Sequence, residues 1–154
     1  QYITKNPDGQ EGLIINVAST SAIDYLVYVP VYSSTKKFVT GLGRSLGDTN
    51  YYDYNKIRVV TFCPSYTDTD MLRPGENVIS DFFNPANIEL AVSVLTSVDM
   101  QAVQEVAEAL VHVAEKGSHG SVWAIVHNET VHEINFPSRK LMQKKRASSH
   151  VKMV

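Results

Sequence analysis

Three short apolar runs constrain this chain more than any other feature. Leu13-Ile14-Ile15-Asn16-Val17 follows Gly12, Ile57-Arg58-Val59-Val60-Thr61-Phe62 ends at Cys63-Pro64, and Ser121-Val122-Trp123-Ala124-Ile125-Val126 comes after Gly117 and Gly120. Runs this short, rich in β-branched residues and almost free of polar ones, are how strands buried on both faces of a parallel sheet read. After Tyr32, Phe38, Val39, Leu42 and Leu46 recur as one helical stripe. A second helix is expected from Met100 to about Glu115, burying Val103, Val106, Ala107, Leu110, Val111 and Ala114. Ser97 or Asp99 serves as its cap and Lys116-Gly117 as its stop. Strand–helix–strand–helix–strand means parallel strands joined by right-handed crossovers, hence a layered α/β domain. Three strands make a thin sheet, so the chain reads as half of a larger one.

Composition fits a single domain: 154 residues, 44% hydrophobic and 19% charged, enough apolar material for a core. A formal net charge of −2 gives no reason to expect nucleic acid or an anionic membrane as partner. No apolar run reaches the roughly 20 residues of a membrane span. The single cysteine, Cys63, excludes an intrachain disulfide and suits a reducing, cytoplasmic setting. Residues 1–135 are expected to belong to one domain, and the basic stretch 136–154 to form a mobile tail.

In open parallel sheets, ligands bind beyond the carboxyl ends of the strands. The first run delivers Ala18-Ser19-Thr20-Ser21 there, and the second delivers Cys63 through Thr69. Two Tyr-x-x-x-Lys pairs occur, Tyr32/Lys36 and Tyr52/Lys56, so spacing alone does not distinguish them. Topology does: Tyr32 opens a helix whose first turn faces the crevice, whereas Tyr52 lies just before the amino end of the second strand. A free phenol ionises near pH 10, too high for a base at neutral pH. An ammonium one helical turn away favours the phenolate, which then takes a proton from an alcohol or returns one to a carbonyl. A serine hydroxyl across the cleft orients the same oxygen. The plain alternative makes Tyr32 packing, Lys36 a solvated residue and Ser19 a loop hydroxyl. His127 and His132, five apart, face opposite sides of a strand; with His112 and His119 they offer no metal-ligand spacing. Cys63 reads as a packed thiol.

The segments GLIINVASTSA, PVYSSTKKFVTGLGRSL and IRVVTFCPSYTDTDML resemble the short-chain dehydrogenase/reductase family, most specifically between about Gly12 and Leu72. Within it the resemblance leans to the NAD-dependent 15-hydroxyprostaglandin and insect-type alcohol dehydrogenase branches. It implies the C-terminal half of a Rossmann-like doubly wound parallel sheet with three αβα layers. It places Ser19, thirteen positions before Tyr32, as the catalytic serine, Tyr32 as general acid/base, and Lys36 as the lysine that also binds the nicotinamide ribose. Ser65, Thr67, Asp68 and Thr69 fall on the stretch that contacts the cofactor. Ser19, Val29 and Tyr66 fall on the substrate side. The implied cofactor is NAD, with NADP left open; the implied partners are a small-molecule alcohol or ketone and a second copy in a homodimer.

Departures accompany the resemblance. Ser65 stands where the family usually has glycine after Cys63-Pro64, a small residue compatible with the place but strained in a tight glycine turn, and Val29 makes the pocket more apolar. The glycine-rich phosphate loop and the acidic residue that reads the ribose fall before this sequence. The isolated chain is therefore expected to be a C-terminal half, inactive and poorly stable by itself. The expected function is hydride transfer between a nicotinamide cofactor and a secondary alcohol or ketone. The alternatives are a non-catalytic fragment or binding protein, or a sugar-nucleotide epimerase or dehydratase. The stretch from Met71 to Val98, expected to cover the pocket, carries no substrate code.

Overall fold

The computed structural model describes residues 11–72 and 85–137. Its four-stranded sheet has the order β1-β2-β3-β4, with β1 at Gly12–Val17, β2 at Ile57–Pro64, β3 at Val122–Ile125 and β4 at His132–Glu133. The three apolar runs are the three parallel strands, with Asn16 opposite Thr61 and Cys63 opposite Ala124. β4 was not foreseen. It pairs antiparallel with β3, Ala124 opposite His132. A tight turn, closed by Glu129 N–H donating to Val126 O at 3.0 Å and by Asn128 at φ 60°, leaves no room for a crossover, so only an antiparallel partner is reachable. Two residues are too few to show a period.

Helices lie on both faces of this sheet. α1 (Pro30–Leu46) and the short α2 (Thr49–Asn55) connect β1 to β2; α3 (Ile88–Ser97) and α4 (Val103–Lys116) lie between β2 and β3. The two-residue period of β2 assigns alternate side chains to the two layers. Cys63 joins Ala18, Ala22, Val122 and Ala124 in one cluster, against which Val39 packs. Val60 and Phe62 join Ala109, Val113 and Ile125 in the other. Both faces of β2 are thus covered, which is why its sequence reads as continuously apolar. Side chains as fully buried as Phe62 and Val113 contribute roughly 1.5–3 kcal/mol each.

Both expected helical stripes shift. α1 buries Ser33, Thr40 and Gly43, while Phe38 and Leu42 stay exposed. The sheet beneath presents Thr61 and Asn16, and the helix backbone comes so close that a methyl on Gly43 would collide with the Thr61 hydroxyl. Small residues therefore face the sheet, Val39 packs against the core beside them, and Phe38 and Leu42 face outward. α4 starts at Val103, later than expected, and buries Ala109 and Val113 with Val106 and Leu110 beside them; Val103, Ala107 and Val111 are exposed. Its cap is neither Ser97 nor Asp99: Glu105 accepts from Ala102 N–H at 2.7 Å. The end of α1 is fixed by glycine against glycine, since a methyl on Gly47 would strike the Gly120 backbone, where φ is +80°. α3 was not anticipated within the Met71–Val98 stretch, of which residues 73–84 lie outside the described residues. Phe136 packs against the core beneath Arg44, whose guanidinium stands 4.0 Å over its ring, and the rest of the expected tail beyond residue 137 lies outside the described residues.

Candidate active site

Ser19, Tyr32 and Lys36 line a single cavity of about 380 Å³ at the carboxyl edge of the parallel strands. Val29, Ser65, Tyr66, Thr67 and Thr69 line it too. Ser19 leaves β1 in extended conformation and caps the 3-10 turn Thr20–Ala22, its hydroxyl accepting from Ser21 N–H at 3.2 Å. That bond fixes the side chain at the cavity rim and leaves its own proton to donate. Tyr32 enters with the first turn of α1, which begins at Pro30, a residue suited to that place because its missing N–H has no helical partner. Lys36 follows one turn later on the same face. Its ammonium donates to Val17 O, the last carbonyl of β1, at 3.3 Å, and stands 5.5 Å from the centre of the Tyr32 ring. Among the described residues, Lys36 is the only charged side chain lining the cavity.

The opposite wall is the turn after β2. Ser65 N–H donates to Ile125 O at 3.0 Å, and the Thr67 hydroxyl donates back to Ser65 O at 3.0 Å. Ser65 has no positive φ; among the described non-glycine residues only Lys56 and Asn128 do, so the strain expected at this position is absent. A residue unnoticed in the sequence holds the turn in place. Gln101, 1% exposed, donates its N–H to Tyr66 O at 2.9 Å, accepts from Asp68 N–H at 3.0 Å, and donates its amide to the Thr67 hydroxyl at 3.2 Å. This is long-range pairing with no local signal. Asp68, expected among the cofactor residues, is exposed and does not line the cavity. Tyr28, also unnoticed, is buried with Val29 and Ala91, and its hydroxyl hydrogen-bonds that of Tyr66. Burial, then the Tyr66 bond, push the Tyr28 phenol well above its ordinary range. Burial likewise raises the Cys63 thiol, against the opposing effects of Thr40, the Ser19 backbone and Lys36.

Tyr52 and Lys56 are elsewhere. Tyr52 belongs to α2, with its ring 5.3 Å from that of His119 and the Lys56 ammonium 5.1 Å from its centre. A hydrogen bond to Glu11 is the main cause of its raised phenol pKa, and Glu11 is itself paired with Arg58 at 2.8 Å. Glu11 precedes β1 and Arg58 is the second residue of β2, so this network sits at the amino edge of the sheet and not at the cavity.

The fold brings Ser19, Tyr32 and Lys36 into one cavity at the carboxyl edge of a parallel sheet, and comparison with known proteins gives the family. Residues 1–77 match the family model described as short chain dehydrogenase, and the chain belongs to that family. It is 43% identical over 67 residues to alcohol dehydrogenase 1 of Ceratitis capitata, covering 44% of this chain and 26% of that protein. It is 31% identical over 119 residues to alcohol dehydrogenase 2 of the same fly, covering 77% of this chain and 45% of the relative. A 3-ketoacyl-(acyl-carrier-protein) reductase from Brucella melitensis, solved with NADH, superposes with a TM-score of 0.56 at 22% identity over 80% of this chain and 47% of its own. That likeness confirms the fold, an α/β sheet of the dehydrogenase type. The chain spans about half or less of the length of these relatives.

Proposed function

We propose that the protein carrying this chain moves hydride between a nicotinamide dinucleotide and a secondary alcohol or ketone, with Tyr32 as acid/base. The observation that carries this reading is the meeting of Ser19, Tyr32 and Lys36 in one cavity opposite the Ser65–Thr69 turn. The nicotinamide, when bound, supplies or accepts the hydride. Ser19 donates to the substrate oxygen and fixes its direction. Tyr32 removes the proton from that oxygen in oxidation and returns it in reduction. The Lys36 ammonium stabilises negative charge on the Tyr32 oxygen and offers its remaining donors to ribose hydroxyls. Ser65, Thr67 and Thr69 supply hydroxyls on the cofactor side; the Asp68 carboxylate, outside the cavity, is left out of this set.

These residues suit a dinucleotide: among the described residues the cavity lining carries one ammonium and no carboxylate, so none of them repels an anion. Val29 and Tyr66 shape the substrate side of the same cavity. NAD is the cofactor we assign. Residues 1–135 are assigned to a single domain. Phe38 and Leu42, exposed on α1, form the face assigned to a second copy of the chain in a homodimer. No helix among the described residues is long and apolar enough to cross a membrane, and the only cysteine is a buried free thiol; we assign the protein to the cytoplasm. The test is to incubate the complete protein with a series of secondary alcohols and either NAD or NADP, following formation of reduced nicotinamide. Turnover with NAD supports the reading, and no turnover with any alcohol or ketone in either direction contradicts it.

A further inference from the structure

The cavity has a second polar feature that the acid/base chemistry does not use. Around Ser19, Tyr32 and Lys36 its walls are apolar, formed by Val17, Leu26, Val29, Met71, Leu72 and Leu95. Into this lining project the two phenols of Tyr28 and Tyr66, thirty-eight positions apart in sequence and bonded hydroxyl to hydroxyl. Tyr28 is 5% exposed, clamped among Val29, Ala91, Leu26 and Val94 beneath α3. Burial and the Tyr66 oxygen both favour its protonated form, and either hydroxyl can donate in the bond between them. When Tyr28 donates, the Tyr66 hydroxyl accepts and its own proton is left for a ligand. Among the described residues the Tyr66 hydroxyl bonds no protein group other than the Tyr28 hydroxyl. A donor held in an apolar wall discriminates strongly, because leaving it unpaired on binding costs more than the bond itself contributes.

We propose that Tyr66 donates a hydrogen bond to a second oxygen of the substrate, away from the reacting carbon, and that Tyr28 is the positioning residue that aims it. The substrate class is then an apolar secondary alcohol or ketone carrying a further oxygen acceptor. This rests on the dehydrogenase reading above, and the test separates the two.

Ligand-observed NMR measures, on the complete protein with NAD present, the affinities of 2-alkanols from hexanol to decanol and of their counterparts with a hydroxyl at the far end. The readout is the affinity ratio within each pair. The native protein should prefer one of the two-oxygen compounds by about tenfold, the worth of one neutral hydrogen bond in a desolvated site. Tyr66→Phe should bring that ratio to about one, and Tyr28→Phe should lower it severalfold, since the Tyr66 ring loses its anchor. No preference in the native protein, or a ratio unchanged in Tyr66→Phe, overturns the proposal. A ratio lost in Tyr66→Phe but intact in Tyr28→Phe overturns the role of Tyr28. Because binding is read without turnover, absent hydride transfer alongside an intact preference contradicts only the dehydrogenase reading.

Discussion

The ammonium of Lys36 donates to the carbonyl oxygen of Val17 at 3.3 Å, tying the first turns of α1 to the carboxyl end of β1. One contact thus fixes the lysine relative to both Tyr32, one turn earlier, and Ser19, two residues beyond Val17. Lys36→Ala removes the tie and the charge together. It should raise the dinucleotide KM at least tenfold and lower kcat, as steady-state kinetics with varied cofactor will show. Lys36→Arg should restore little, because a planar guanidinium does not reproduce a compact three-donor ammonium.

Gly41 and Gly43 make a matched pair on α1. A methyl on Gly41 meets nothing within 4 Å, whereas one on Gly43 runs into the buried Thr61 hydroxyl. Gly41→Ala should stabilise by about 0.5–1 kcal/mol, the helix-propensity difference. At Gly43 the same gain is outweighed by about 1–3 kcal/mol of overpacking, so Gly43→Ala should lower Tm. Opposite shifts in thermal melts of the two variants are expected; equal shifts would show that α1 is not pressed onto β2 at Thr61.

The Glu11 carboxyl is held below its usual range. Burial pushes it up, but hydrogen bonds to Arg58 and Tyr52 prevail. Its folded value lies below the unfolded value of 4.5, so its contribution to stability is present above about pH 4.5 and is lost as pH falls through the folded value. With the Glu11 side chain 38% exposed, solvent screening keeps the contribution under about 1 kcal/mol. Glu11→Gln should lower Tm by a few degrees at pH 7, and the difference should close in acid; a gap that persists below about pH 3 would assign the loss to packing.

Phe38, 69% exposed on α1, is the natural probe of the proposed dimer face. Phe38→Glu should convert a dimer into a monomer in light scattering at micromolar concentration. A native protein that is already monomeric there contradicts the assignment.

The strands were legible because continuous β-branched runs have few other readings, and their parallel order then placed Ser19, Tyr32 and the Ser65–Thr69 turn at one edge. The faces of the helices were not. α4 is apolar on most of its circumference, so Val103, Ala107 and Val111 fit a helical period as well as Ala109 and Val113 do, and only the sheet chooses between them. In α1 the governing fact is a backbone-to-sheet distance set by Gly43 and Thr61, which a hydrophobic period does not encode. α3 did carry a signal, since Ile88, Ala91 and Val94 recur at helical spacing. Gln101 and the Tyr28–Tyr66 pair gave none, because each acts through a partner more than thirty positions away.

Two Tyr-x-x-x-Lys pairs and one cavity make the most direct test. Tyr32 lines the cavity; Tyr52 sits with Glu11 and His119 at the opposite edge of the sheet. In the complete protein, kcat/KM for alcohol oxidation should be measured for Tyr32→Phe and Tyr52→Phe side by side. Tyr32→Phe is expected to lose about 10²–10⁴-fold, the span of a positioned acid/base, and Tyr52→Phe to stay within a few-fold of the native protein. Comparable losses in both, or a Tyr32→Phe variant that retains native turnover, would contradict the assignment of the acid/base to Tyr32.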